Sequence, residues 1–287
     1  MIASYISNKD NITRIEIELT DTCNLNCVLC SRETHPEFNT SEKYRGLKEI
    51  QDQLDQYKNL KYITIAGPRS EPTLYPHLFD LIKYLRDKDL EISLFINGDT
   101  KDNIYYGKLS LLFRTCKGSI YFTVCGSTQE LHEKYRVGSS LEKVLEHFNI
   151  VHKLSNKAVL TWIVFNYNEQ DFKDNYKKFS RYNTEYFYTL PVDEHFDLNT
   201  GINLPQELRK AYNKIDKTES NIKCPAEAYN FALISSDGSV NPCSLYKNFK
   251  EEHCFECGNN NAKILRENKI YHIAECEDET SEQELRI

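Results

Sequence analysis

From residue 14 to about residue 217 the chain switches repeatedly between strand-like alternation and helix-like spacing of its apolar positions. Arg14-Ile15-Glu16-Ile17-Glu18-Leu19-Thr20 has the two-residue period of a strand. Across residues 43–58, Leu47, Ile50, Leu54 and Tyr57 form a helical stripe. Tyr62-Ile63-Thr64-Ile65-Ala66 reads as a short buried strand, and Leu78, Leu81, Ile82 and Leu85 as the apolar side of the next helix. Further strands are expected over residues 91–96, 120–124, 159–165 and 186–190, the first of them ending in Asn97-Gly98. The helix that returns from residue 124 carries Leu141, Val144, Leu145, Phe148 and Val151 on one side, with Ser139 and Glu142 as a capping box. Pro205 suits the first turn of a last helix bearing Leu208, Ala211, Tyr212 and Ile215.

Strands alternating with helices predict an α/β protein with a parallel sheet covered by helices. A closed barrel needs eight such units in typically about 250 residues, and about six units in about 205 residues suit an open, partial (β/α)6 barrel of TIM-like design. Ligand groups are then expected at the C-terminal ends of the strands. After residue 220 the pattern changes: Tyr229 to Ile234, the turn Asp237-Gly238 and Ser239 to Asn241 read as a β-hairpin amid cysteines. The expected organisation is a barrel over 1–218 and a small Cys-rich hairpin domain over 219–287, ending in a solvated acidic tail. No internal repeat or low-complexity stretch is evident.

Composition narrows the chemistry. Of 287 residues, 40% are hydrophobic and 28% charged, the balance of an ordinary folded protein. A formal charge of −7 argues against general nucleic-acid binding. No apolar run approaches the roughly 18 residues that span a bilayer. The N-terminus lacks the basic start and apolar core of an export signal, so a cytoplasmic location with reduced thiols is expected. Ten cysteines in such a chain must serve mainly as ligands, nucleophiles or buried apolar residues.

Cys23, Cys27 and Cys30 follow the first strand in Thr22-Cys23-Asn24-Leu25-Asn26-Cys27-Val28-Leu29-Cys30. Such a loop can wrap three thiolates around one inorganic centre. An iron–sulfur cube takes four ligands, so three leave one iron open to a cofactor or substrate. A zinc loop with a distant fourth ligand is the alternative, although zinc ligands more often come in CxxC pairs. Here the sequence resembles the radical S-adenosylmethionine (SAM) superfamily. The resemblance continues through Ala66-Gly67-Pro68-Arg69-Ser70-Glu71-Pro72-Thr73-Leu74 after the second strand, Asn97-Gly98 after the third, and Thr123-Val124-Cys125-Gly126 with Arg136 after the fourth. It implies a [4Fe–4S] cluster on the three cysteines, SAM on its open iron, and cofactor contacts from Gly67, Ser70, Glu71, Asn97, Thr123 and Arg136. Asn166, at the end of the fifth strand, is a further candidate for SAM or substrate, or else a buried structural residue. Electron transfer into SAM would give methionine and a 5′-deoxyadenosyl radical able to take hydrogen from an unactivated C–H bond.

Three features depart from the family pattern. Leu29 stands where an aromatic residue usually precedes the third cysteine. Pro68-Arg69-Ser70 lengthens the usual Gly-Gly-Glu, and Cys125 replaces an Asp near the barrel mouth. Cys125 is therefore a candidate hydrogen-atom donor, with packing beside SAM as the plainer role, and Cys276 is the second candidate. Cys116 is read as structural.

Cys224, Cys243, Cys254 and Cys257 are spaced C-x18-C-x10-C-x2-C around the predicted hairpin. Taken alone they suit a cube or a tetrahedral zinc equally. The resemblance extends to the SPASM or twitch extension through Asp237-Gly238-Ser239-Val240-Asn241-Pro242-Cys243, which implies one auxiliary [4Fe–4S] cluster. Cys276 could replace Cys254 or Cys257 in it. The function expected is hydrogen abstraction from a small polar substrate, sugar- or aminocyclitol-like, leading to dehydrogenation or epimerisation, with flavodoxin or ferredoxin as electron donor. The short stretch before Cys23 tilts the expectation away from a peptide substrate. Peptide epimerisation or thioether formation is the alternative enzyme class, and a non-catalytic metal-binding protein the alternative outside enzymes.

Overall fold

The computed structural model describes residues 8–30, 32, 44–66, 69–179, 184–188, 201–202 and 230–241. Its strands are β1 (Arg14–Ile17), β2 (Tyr62–Ile65), β3 (Glu91–Ile96), β4 (Lys117–Val124), β5 (Ala158–Val164), β6 (Thr184–Tyr188), β7 (Phe231–Ile234) and β8 (Val240–Asn241). The helices are α1 (Leu47–Leu54), α2 (Leu78–Asp87), α3 (Asn103–Phe113), α4 (Gln129–Glu133), α5 (Leu141–Ser155) and α6 (Glu169–Phe179). One sheet holds all eight strands in the order β6-β5-β4-β3-β2-β1-β7-β8. Every neighbouring pair from β6 to β7 is parallel, and β7 with β8 is antiparallel. The α/β partial barrel expected from the alternation is thus present, because parallel neighbours need crossovers and the crossovers supply helices to one face.

The first strand of the expected hairpin, β7, extends the barrel sheet. Arg14 faces Phe231 and Ile17 faces Ile234 in parallel register. Pairing with β7 covers the edge that β1 would otherwise expose. The hairpin turn is also tied to α1: Gln53 Nε2 donates to the Gly238 carbonyl at 2.9 Å. Beneath that turn lies the buried Arg45, hydrogen-bonded to Glu49 and Gln53 at 2.8 and 2.7 Å. The helix expected at Pro205, the acidic tail, and Cys224, Cys243, Cys254, Cys257 and Cys276 all lie outside the described residues.

Alternation sorts each strand into two faces. Ile15 and Ile17 of β1, Ile63 and Ile65 of β2, and Ile92, Leu94 and Ile96 of β3 face the helices, where they share one core with Ile50, Leu54, Leu81, Ile82 and Leu85. Each such burial contributes about 1.5–3 kcal/mol, so this outer face holds the sheet together. The inner face is polar: Glu16, Thr64, Ser93 and Ser119 stand in one row across β1 to β4. One step further up, Phe95 and Tyr121 stack with ring centroids 4.3 Å apart.

The start of α5 shifts by one residue from the expected capping box. Ser140, not Ser139, is the N-cap and accepts from the Lys143 N–H. Ser139 is engaged elsewhere, its hydroxyl 2.9 Å from His132 Nε2.

Candidate active site

The cysteine loop leaves β1 and is held from several sides. Arg32 donates to the Leu25 carbonyl at 2.7 Å and to the Cys23 carbonyl at 3.3 Å, bracing the loop from within. The Asn26 and Val28 N–H groups donate to the Val137 and Tyr135 carbonyls, both at 3.1 Å, which pins the loop to the segment after α4. Cys23, Cys27 and Cys30 are reduced thiols of intermediate exposure. The Cys23 sulfur accepts from Asn97 Nδ2 at 3.2 Å and from the Leu25 N–H at 3.5 Å. Hydrogen bonds to ligating sulfurs are one means of setting an iron–sulfur potential.

The segments that follow β2, β3 and α4 converge on this loop through one network. Glu71 is 1% exposed. Its Oε2 accepts the Asn97 N–H at 2.7 Å and its Oε1 the Thr73 N–H at 3.1 Å, while its own N–H donates to the Thr22 carbonyl at 2.9 Å. Burial raises the Glu71 pKa, opposed by the Thr73 and Asn97 hydrogen bonds and by Arg136. Asn97 also donates to Asn24 Oδ1 at 2.8 Å and accepts from the Arg136 guanidinium. Asn24 in turn donates to Asp99 at 2.9 Å, and Asp99 accepts the Ser140 N–H at 3.0 Å. Gly98 makes the turn possible: its φ is +86°, and a Cβ there would lie 2.7 Å from Phe122.

Of the residues singled out from sequence, Cys23, Glu71, Asn97 and Arg136 are joined by hydrogen bonds in this network. Gly67 lies outside the described residues. Ser70 lies next to Glu71 in the same loop, its hydroxyl buried and without a hydrogen-bond partner among the described residues. Thr123 is half-buried and hydrogen-bonded to Thr161 at 3.0 Å. Asn166 is not drawn in; it is exposed and donates to the Gly201 carbonyl at 3.1 Å.

Cys125 sits under the cysteine loop. It is 0% exposed, clustered with Phe165 and Ile202 and packed against Val28, Leu29 and Tyr135. Burial pushes its pKa up to about 12, so the thiol keeps its hydrogen. The same cause pushes Cys27 up to about 11, against the pull of Arg136. The Cys125 backbone is locked on both sides. Its N–H donates to His132 Nδ1 at 3.2 Å, and its carbonyl accepts from Asn168 Nδ2 at 2.7 Å. Burial, with the Arg136 charge, lowers the His132 pKa to about 3, so the imidazole is neutral and donates through Nε2 to Ser139. Gly126 permits this close approach, since a Cβ there would meet Leu131 at 2.4 Å.

His132, Asn168, Asp99, Asn24 and Arg32 have no counterpart in the sequence reading. Their partners come from distant segments, and only the Asn24 and Arg32 positions, inside or beside the cysteine loop, gave any signal. Among the described residues no group of three or more His, Cys, Asp or Glu side chains converges as ligands of a single ion. A cube makes a different demand, with each thiolate meeting its own iron. Nor is any helix among the described residues long and apolar enough to cross a membrane.

The chain belongs to the radical SAM superfamily: the family's model matches residues 17–179, more than half of the chain. Members of this superfamily are enzymes, and membership implies a [4Fe–4S] cluster and SAM. Two archaeal relatives show local likeness. The tungsten-containing aldehyde ferredoxin oxidoreductase cofactor-modifying protein of Pyrococcus furiosus is 26% identical over 82 residues, 29% of this chain and 23% of that protein. A probable GTP 3′,8-cyclase of Pyrococcus abyssi is 29% identical over 89 residues, 31% of this chain and 28% of that protein. The match thus spans only about a quarter of each relative's length. The fold resembles that of Streptococcus suis SuiB bound to its precursor peptide SuiA, with a TM-score of 0.62 at 12% identity, covering 87% of this chain and 64% of SuiB. It also resembles anSMEcpe with bound SAM, with a TM-score of 0.57 at 17% identity, covering 88% of this chain and 83% of the other. The residues present fit the implied cofactors. Three thiols share one braced loop, and the buried Ser70 Oγ and Arg136 Nε await partners among the described residues.

Proposed function

We propose that the chain is a radical SAM enzyme in which Cys23, Cys27 and Cys30 hold the [4Fe–4S] cluster and the ends of β2, β3 and β4 hold SAM. The observation that carries this reading is the network that joins Cys23, Glu71, Asn97 and Arg136 across four separate segments. When bound, the reduced cluster supplies the electron that cleaves SAM to methionine and a 5′-deoxyadenosyl radical. The chain's own residues bind and orient. Arg136 offers a cation to the SAM carboxylate and Ser70 a hydroxyl, while Gly67 and Thr123 contribute from neighbouring strand ends. Glu71 acts as the brace that fixes the Asn97 turn. Asn166, on the rim beside Gly201, serves the substrate side.

The substrate we propose is a small polar molecule, sugar- or aminocyclitol-like, dehydrogenated or epimerised in a barrel whose inner face is polar. The protonated Cys125 thiol is the candidate hydrogen-atom donor for the epimerising branch, with Cys276 second. A peptide substrate is the second reading. It is favoured by the likeness in fold to SuiB solved with its precursor peptide and to anSMEcpe, also solved with a Cp18Cys peptide. Cys224, Cys243, Cys254 and Cys257 are proposed as ligands of one auxiliary cluster, in a module following the barrel. A flavodoxin or ferredoxin is proposed as electron donor, in the cytoplasm.

An anaerobic preparation should then contain about eight irons per chain, four for each cube. Replacing Cys23, Cys27 and Cys30 by Ala should halve the iron and abolish 5′-deoxyadenosine formation from SAM and dithionite. Continued SAM cleavage in that triple variant would rule the reading out.

A further inference from the structure

The inner face of the sheet is layered in register. At the N-terminal ends of the strands, Arg14, Tyr62, Glu91 and Lys117 form one row, with the Arg14 guanidinium 4.0 Å from the Tyr62 ring centroid. Glu16, Thr64, Ser93 and Ser119 form the row above. Closed barrels fill such positions with bulky apolar side chains, whereas these are polar, with charges of both signs.

Along this face of β1 the charged groups are Arg14, Glu16 and, just past the strand, Glu18. Glu18, 2% exposed, pairs with Arg69 at 3.2 Å. Arg69 belongs to the Pro68-Arg69-Ser70 stretch that lengthens the family's loop, so this pair is a feature of the present chain. Glu16 lies two residues down the same face and is half-buried. Its register neighbours are Thr64 on β2 and Leu233 on β7, Glu18 stands above it with Arg69, and Arg14 lies in the row below. No cation or hydrogen-bond donor among the described residues compensates its carboxylate, which feels only burial and the like charge of Glu18. An enclosed carboxylate without a counter-charge is costly, and it resolves by taking up either a proton or a cation.

We propose that Glu16, backed by the Glu18–Arg69 pair, seats a cationic group of the substrate, a primary ammonium or a guanidinium, inside the barrel. This rests on the proposed reading that the substrate reacts inside the barrel. Arg69 matters because it pairs with Glu18 at 3.2 Å and so engages one of the two neighbouring carboxylates, leaving that of Glu16 to be met. The Phe95–Tyr121 stack on the same face, with Tyr121 buried and Phe95 half-buried, offers an apolar wall to the carbon skeleton attached to that charge.

The test is direct titration of the Glu16 carboxyl by NMR in cluster-loaded protein carrying 13C-labelled glutamate, with Glu16→Gln and Glu16→Asp each identifying the signal by its loss. Without additions the carboxyl should titrate above the ordinary glutamate value of 4.5. Glucosamine and Nα-acetyl-lysine amide are the probes, with N-acetylglucosamine and Nα-acetyl-norleucine amide as their uncharged counterparts. A saturable fall of at least one pH unit with a charged probe, a tenfold change in proton affinity, and none with its counterpart is the expected result. A response to glucosamine alone identifies a small amine substrate, and a response to the lysine amide alone identifies a peptide side chain. Absence of a saturable shift with either charged probe, or equal shifts with the uncharged ones, overturns the proposal. Formation of 5′-deoxyadenosine by the same wild-type sample reads the underlying radical SAM function separately.

Discussion

The two faces of β1 differ by a single residue step and do opposite work. Ile15 and Ile17, 1% and 0% exposed, disappear among helix side chains. Glu16 and Glu18, interleaved with them, carry charge into the barrel interior, and the pattern repeats with Ile63 and Ile65 against Thr64 on β2. On the outer face stability comes from many weak, non-directional contacts that tolerate adjustment. On the inner face and at its rim, a few directional bonds each hold one atom in place, and one carboxylate is left uncompensated. A protein built this way should respond to substitutions on the two faces with different observables: unfolding free energy on one side, ligand affinity and pH dependence on the other.

The largest effect should come from breaking the outer face. Phe122 is fully buried, edge-on to Phe148 with centroids 5.8 Å apart, and lies beneath Gly98. Phe122→Ala should cost about 3–5 kcal/mol in urea unfolding, from lost transfer energy and the cavity left behind. A cost below about 1 kcal/mol would mean that the helix-facing core is not what holds the sheet. Asn97→Ala strikes the rim instead. It removes the side-chain bonds to the Cys23 sulfur, Asn24 and Arg136 while keeping the backbone N–H that Glu71 accepts. SAM affinity should fall about 10–100-fold, the usual scale for losing a group that orients ligands. With one hydrogen bond fewer on the sulfur, the cluster midpoint should move to more negative potential. Unchanged SAM binding would separate this network from the cofactor.

The outer face was legible because period-two and period-3.6 patterns record which residues meet the core, and each strand was found within a few residues. The rim was legible where a short motif marks it, as at Cys23, Asn97 and Arg136. Partners were not. Asn24 meets Asp99, and the Cys125 carbonyl meets Asn168, across gaps that no local pattern spans. The same limit explains β7: alternation identifies a strand, but not that it lies parallel to β1 in a sheet reached from more than 200 residues away. Ser139 and Ser140 both suit a helix start, and only the demand of His132 on Ser139 decides between them. Glu16 and Glu18 were read only as the polar half of an alternating strand. Alternation reports that a position avoids the core and cannot distinguish bulk water from a barrel interior.

The smallest predicted effect sharpens the comparison most, because it separates burial from charge. Burial, then the nearby Glu18 charge, lifts the Glu16 pKa from its ordinary 4.5 to about 7. Between those two values the folded protein holds a proton that the unfolded chain has released, so stability must fall as pH rises through the window. Below it both states are protonated, and above it both are ionised. The whole shift corresponds to about 3 kcal/mol, and solvent screening of a half-buried group reduces this to about 1–2 kcal/mol. Glu16→Gln removes the titration while keeping size and polarity. The variant should match the wild type within about 0.5 kcal/mol near pH 4.5 and exceed it by about 1–2 kcal/mol at pH 8, by urea unfolding at each pH. A difference that does not change with pH would mean that Glu16 already has its counter-charge, and the inner face would then differ from the outer only in hydration.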